Sequence, residues 1–170
     1  MPRRWRVRLL ALLILLSAGI GWFLSGARPP SDESVVGQFR LAQHHLDNLR
    51  LMLNSDSEVE SVSGNGVTTD KSIVAKPPVE IGMAEGRFQQ YLANLRLAKA
   101  ISAIHKDREY RFMIEGSGFG SHGWRLSFVY RESPSNPAEL IDSIDSFRPK
   151  GGKWRQGYRH LEGNWYAWII

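Results

Sequence analysis

Between Ser31 and Asn54 the apolar residues Val35, Phe39, Ala42, Leu46, Leu49 and Leu53 recur at alternating spacings of four and three. That period lays one stripe along an amphipathic helix. Arg28-Pro29-Pro30 reads as a stiff lead-in, and Ser31 suits the N-cap. The stripe is short for a coiled coil, so packing on a sheet is expected. A second helix is expected from about Met83 to Leu97, with Phe88, Tyr91, Leu92 and Leu95 on one side.

Elsewhere the period drops to two. EVESV at 58–62 alternates like a strand and is followed by a Gly64-Asn65-Gly66 turn. TTDKSIVAKPPVE at 68–80 shows no alternation and is expected to be an exposed loop ended by Pro77-Pro78. AISAIH at 100–105 could prolong the second helix; the alternation of Ile101 and Ala103 favours a strand that turns at KDRE. Tyr110, Phe112 and Ile114 then share one face, as do Trp124, Leu126, Phe128 and Tyr130. Asn136-Pro137-Ala138-Glu139 carries a helix-start signature, predicting a short helix with Leu140, Ile144 and Phe147 on one side. Two last strands, WRQGYRHLE and NWYAWII, join through Glu162-Gly163-Asn164. The succession predicts an α+β fold: an antiparallel sheet of five or six strands with two longer helices and one short one.

Ahead of this domain Arg3, Arg4, Arg6 and Arg8 precede an uncharged run from Leu9 to Ala27. At ~1.5 Å per residue the run makes a helix of roughly 28 Å, close to the ~30 Å hydrocarbon thickness of a bilayer. The arginines keep their flank in the cytoplasm, so the rest of the chain should face outward. The expected organisation is a cytoplasmic flank at 1–8, a transmembrane signal-anchor at 9–27, a linker at 28–33 and an extracytoplasmic domain at 34–170. The alternative is a cleaved signal peptide with the cut at Ala27–Arg28 and release to the periplasm. Against cleavage, the run exceeds a usual h-region of ~7–15 residues, and bulky Trp22 and Phe23 lie just before the cut.

Charge changes the picture once it is located. The formal net charge is +5, yet five of the 22 basic residues precede Ser31, leaving 17 against 17 acidic residues beyond it. The domain has no net attraction for phosphate, so nucleic acid is not an expected partner. There is no cysteine, which excludes disulfides, thiolate catalysis and thiolate metal sites.

Candidate chemistry is sparse. GFGSHG at 118–123 reads G-x-G-x-x-G, but a dinucleotide site needs a helix after the glycines. Here WRLSFVYR follows, a strand by alternation, so the glycines are read as a hairpin turn. His44 and His45 are adjacent and cannot chelate one ion as an i, i+4 pair would. His105, His122 and His160 have no ligand spacing. No metal or cofactor is expected. Ser117, Ser121, Asp142 and Asp145 supply the residue types of a hydrolase without an arrangement.

The density of rings at the C-terminus is the feature with most functional content. Trp154, Tyr158, Trp165, Tyr166 and Trp168 interleave with Arg159 and His160. Alternation sends Trp165 one way and Tyr166 and Trp168 the other. With Phe119 and His122 of the glycine-rich loop, these residues form the expected partner or ligand surface. Aromatic rings beside arginines suit sugar stacking, a protein partner or the membrane interface; as core residues, they would instead lie covered. The expected function is a non-catalytic binding module tethered to the bacterial inner membrane, recognising an envelope protein or glycan. The alternatives are a small periplasmic hydrolase using His122 or His160, and a protective, immunity-type protein that blocks a toxin or lytic enzyme.

Overall fold

The computed structural model describes residues 29–70, 72–117, 124–132, 139–146 and 156–170. The expected span at 9–27, the glycine-rich 118–123 loop and the Asn136-Pro137 cap lie outside them. Among the described residues no helix is long and apolar enough to cross a membrane.

Helix α1, Asp32–Ser55, starts at Ser31, whose hydroxyl accepts from the Ser34 backbone N–H. Its six-residue stripe is buried as the spacing predicts, with Met52 added. Helix α2, Glu85–Leu97, buries Phe88, Tyr91 and Leu95. Asp56, just past the end of α1, ties the helices together by accepting from Arg87 Nε and the Tyr91 hydroxyl, both at 2.8 Å.

Eight strands form one antiparallel sheet: β1 Val59–Ser63, β2 Gly66–Thr69, β3 Ser72–Lys76, β4 Ser102–Lys106, β5 Glu109–Ser117, β6 Trp124–Arg131, β7 Gly157–Glu162 and β8 Trp165–Ile169. Their order is β3-β2-β1-β4-β5-β6-β8-β7. The fold is therefore α+β, with two α-helices among the described residues. The expected five or six strands are corrected to eight: a turn at Gly64-Asn65 is found as expected, but the loop expected from 68 gives way to β2 and β3. They form an edge of the sheet, and with Val74, Ala75 and Lys76 all exposed, β3 has little buried face to impose alternation. Gly66 is required there: its φ is +128°, and a Cβ would lie 2.4 Å from the Lys76 carbonyl oxygen.

Residues 100–105 resolve toward the strand, β4, joined to β5 through Asp107 and Arg108. Both have positive φ, 52° and 64°, as the twist of a two-residue hairpin turn demands. The short helix after 138 is corrected too. Residues 139–146 form no α-helix; Leu140 bridges Tyr158 in parallel, and the Ile141 N–H donates to the Tyr158 carbonyl at 3.0 Å. Strand pairing to β7 takes up the backbone that a helix would use itself. Leu140 is consequently 41% exposed while Ile144 is buried, so the two do not share a face.

One apolar core lies between the helices and the sheet face carrying Ala103, Phe112, Leu126, Phe128, Trp165, Ala167 and Ile169. Phe39 of α1 packs at 5.4 Å on Phe128 and 5.5 Å on Trp165, centroid to centroid. A second clasp fixes the start of α1. Asp32 accepts from the Ile144 N–H at 2.9 Å and from Arg159 Nε of β7 at 3.2 Å.

Candidate functional site

The sheet has a second face turned away from the helices, and strand register determines which side chains meet there. Glu109 stands opposite Arg131, Arg111 opposite Val129, and Met113 opposite Ser127. Across the next boundary Val129 faces Tyr166 and Ser127 faces Trp168. Beyond that Tyr166 pairs with His160 and Trp168 with Tyr158. Since directly paired residues point to the same side, the row sets a cation pair, an acid and a group of rings on one surface.

Val129, Tyr158 and Tyr166 form a small apolar cluster of their own, with Trp168 packed against it. Two guanidiniums lie on these rings. Arg111 sits 4.4 Å over Trp168, and Arg131 4.6 Å over Tyr158, where the ring quadrupole attracts a cation. Glu109 holds both arginines: one oxygen accepts from Arg111 Nη2 at 2.6 Å and Nε at 3.1 Å, the other from Arg131 Nε. The carboxylate is only 14% exposed, so solvent screens these pairs less than ordinary surface pairs. Each arginine is thus fixed by a ring on one side and a carboxylate on the other. Burial pushes the Tyr158 phenol above its usual value; the Glu109 carboxylate adds to this, and Arg131 and Arg111 oppose it.

Beside this platform, at the β4–β5 hairpin, lies an open concavity of about 640 Å³. Its lining includes Lys106, Arg108, Glu109, Arg111, Arg131 and Glu132. Lys106 and Arg108 are exposed. Two further polar atoms sit under the platform: Ser127 Oγ and Trp168 Nε1 are buried with no hydrogen-bond partner among the described residues.

The residues expected from the sequence divide between the faces. Tyr158, His160, Tyr166 and Trp168 share the outer face. His160 is exposed, and its ring nitrogen is 2.9 Å from the Gly163 carbonyl. Trp165 belongs to the main core, against Phe39, Phe112 and Tyr130. Arg159 points to the helix side and pairs with Asp32. Phe119, His122 and Trp154 lie outside the described residues. Tyr158 and Tyr166 are themselves buried, so the rings serve as the floor of the platform, and the arginines and Trp168 present its surface.

Sequence reasoning missed Glu109, Arg111 and Arg131. The signal available was alternation: Glu109 and Arg111 occupy the positions of β5 that Tyr110 and Phe112 leave outward. Their meeting with Arg131, Trp168 and Tyr158 depends on register, which alternation does not supply. Among the described residues no three His, Asp or Glu side chains are grouped to hold a metal. No family model matches this sequence, and neither the curated proteins nor the solved structures yield a significant match.

Proposed function

We propose that this chain is a membrane-tethered binding module of the bacterial envelope. In this reading residues 9–27 anchor it and the α+β domain lies in the periplasm. Its ligand surface is the outer sheet face, where Arg111 and Arg131 stand beside the concavity. The observation that carries the reading is the Arg111–Glu109–Arg131 platform on Trp168 and Tyr158. Around the concavity Lys106, Arg108, Arg111 and Arg131 outnumber Asp107, Glu109 and Glu132 by one charge. Because Arg111 and Arg131 are already held in place, they lose little side-chain freedom when an acidic group docks. Arginine suits this task because its planar fork matches a carboxylate or phosphate. The partner is accordingly an envelope protein or glycan presenting an acidic group.

The test is crosslinking in intact cells followed by co-purification of full-length protein through a C-terminal tag. The tag follows a flexible spacer because Ile169 is fully buried. Trp168→Ala and Arg111→Met should each remove the crosslinked partner while the far-UV circular dichroism stays that of the parent. Leu41→Ser, an exposed site on α1, should leave the partner in place. A partner retained by both platform variants would refute this surface assignment.

A further inference from the structure

The concavity at the β4–β5 hairpin carries charge of both signs, and only part of it is compensated within the molecule. Glu109 is taken up by Arg111 and Arg131. Lys106, Asp107, Arg108 and Glu132 line the same space and are exposed. None of them forms an ion pair or a side-chain hydrogen bond among the described residues. Asp107 and Arg108 also stand on left-handed backbone, with φ of 52° and 64°, where Asn-Gly is the usual pair. A side chain as long as arginine is uncommon there, and such departures concentrate at ligand sites.

The nearby rings are closed to a ligand. Trp168 has Arg111 on its ring and packs on the Val129–Tyr158–Tyr166 cluster, and Tyr158 lies under Arg131. Apart from Ile104, every residue lining the concavity is charged. A sugar that stacks needs an open aromatic face, and the lining has none. A purely acidic ligand would satisfy the arginines but meet repulsion from Asp107 and Glu132.

We propose that the ligand of this concavity is a short peptide carrying charges of both signs. Its carboxylates dock on Arg111 and Arg131, and an ammonium group is received by Asp107 or Glu132. This rests on the reading of the platform as the binding surface and names what that surface takes. Because the lining is positive by one charge, its best complement has one more carboxylate than ammonium. The volume of about 640 Å³ falls in the ~300–1,000 Å³ range of small-ligand pockets, which suits a few residues. Asp107 and Glu132 are then specificity residues that select the ammonium-bearing ligand.

The test is calorimetric titration of the full-length protein in detergent micelles with three probes. Acetyl-Glu-Lys-Ala carries two carboxylates and one ammonium, acetyl-Glu-Gln-Ala the carboxylates alone, and trigalacturonic acid is an acidic sugar. Acetyl-Glu-Lys-Ala should bind tightest, by about fivefold over acetyl-Glu-Gln-Ala, the most that an exposed ion pair gives. The double variant Asp107→Asn/Glu132→Gln should bind both peptides equally. Its far-UV circular dichroism should be that of the parent, since both sites are exposed and the turn accepts Asn. Arg111→Met should weaken both peptides, and Leu41→Ser neither. Equal binding of the two peptides by the parent protein, or tighter binding of trigalacturonic acid, overturns the proposal; if that binding is lost in Arg111→Met, the platform still stands as a site for acids. Failure of acetyl-Glu-Lys-Ala to bind also overturns it. Whether the surface assignment falls with it is read separately from the in-cell crosslink, which depends on Arg111 whatever the partner.

Discussion

Replacing Glu109 by glutamine keeps the shape of the platform and removes the charge that holds it. Two arginine pairs depend on that carboxylate. An exposed ion pair contributes about 0.2–1 kcal/mol, whereas breaking a fully buried one costs about 3–5 kcal/mol. Here the acid is 14% exposed and the arginines 31% and 28%, which places each pair between those limits. Discounting for solvent gives about 1 kcal/mol per arginine, so Glu109→Gln should destabilise the domain by about 2 kcal/mol. The assay is urea unfolding followed by tryptophan fluorescence, with Arg111→Met alone and combined with Glu109→Gln. The midpoint should fall at an unchanged m-value, and the double-mutant cycle should show a coupling of about 1 kcal/mol. The loss should shrink in high salt less than that of an exposed pair such as Asp47–Arg50. A destabilisation within ~0.3 kcal/mol of zero, or additivity of the two changes, would show that the acid does not organise the arginines.

Other expected outcomes concern packing and titration. At Gly157 a Cβ would lie 2.8 Å from Ile141 Cγ2, so Gly157→Ala should cost about 1–2 kcal/mol by overpacking. Most of that loss should return in the Gly157→Ala/Ile141→Ala double variant; equal stability of single and double variants would refute the clash. Burial and the Asp56 carboxylate raise the Tyr91 phenol far above its ordinary value. The folded state therefore keeps this proton longer than the unfolded chain. The stabilisation is intact below about pH 10, the unfolded value, and is lost progressively as pH rises above it. Tyr91→Phe should lower stability at pH 7 by about 1.5–3 kcal/mol, the worth of a hydrogen bond to a charged acceptor. It should also flatten the alkaline fall, and an unchanged slope above pH 10 would contradict the assignment.

How far the sequence discloses this molecule depends on the range of the interaction concerned. The α1 stripe from Val35 to Leu53 was legible because a helix repeats on its own backbone, and β5, β6 and β8 were legible because each buries its core face. The hairpin at 66–76 was not, since Val74 is exposed and Thr68, Thr69, Asp70 and Lys71 mimic a solvated loop. The segment after 138 misled for the opposite reason. Its cap signature is local, whereas Leu140 and Ile141 are claimed by Tyr158 across the chain. At the candidate site the rings Tyr158, Tyr166 and Trp168 could be read from composition and alternation. Trp165 and Arg159 could not be separated from them until β7 and β8 were set in register. Glu109, Arg111 and Arg131 looked like ordinary outward charges, and only the pairing of β5 with β6 brings them together.

The Asp32 clasp also sets the order in which the molecule can be completed. The first helical residue is held by Ile144 and Arg159, and Phe39 rests on Trp165, five residues before the end of the chain. In a nascent chain emerging N-terminus first, α1 can pack on α2 and on Phe128 of β6, but its contacts with Arg159 and Trp165 wait for the last two strands. Sheet pairing within β1–β2–β3 and β4–β5–β6 can begin earlier, but the core under α1 closes last. The domain locks only when the start of α1 meets Ile144 and β7.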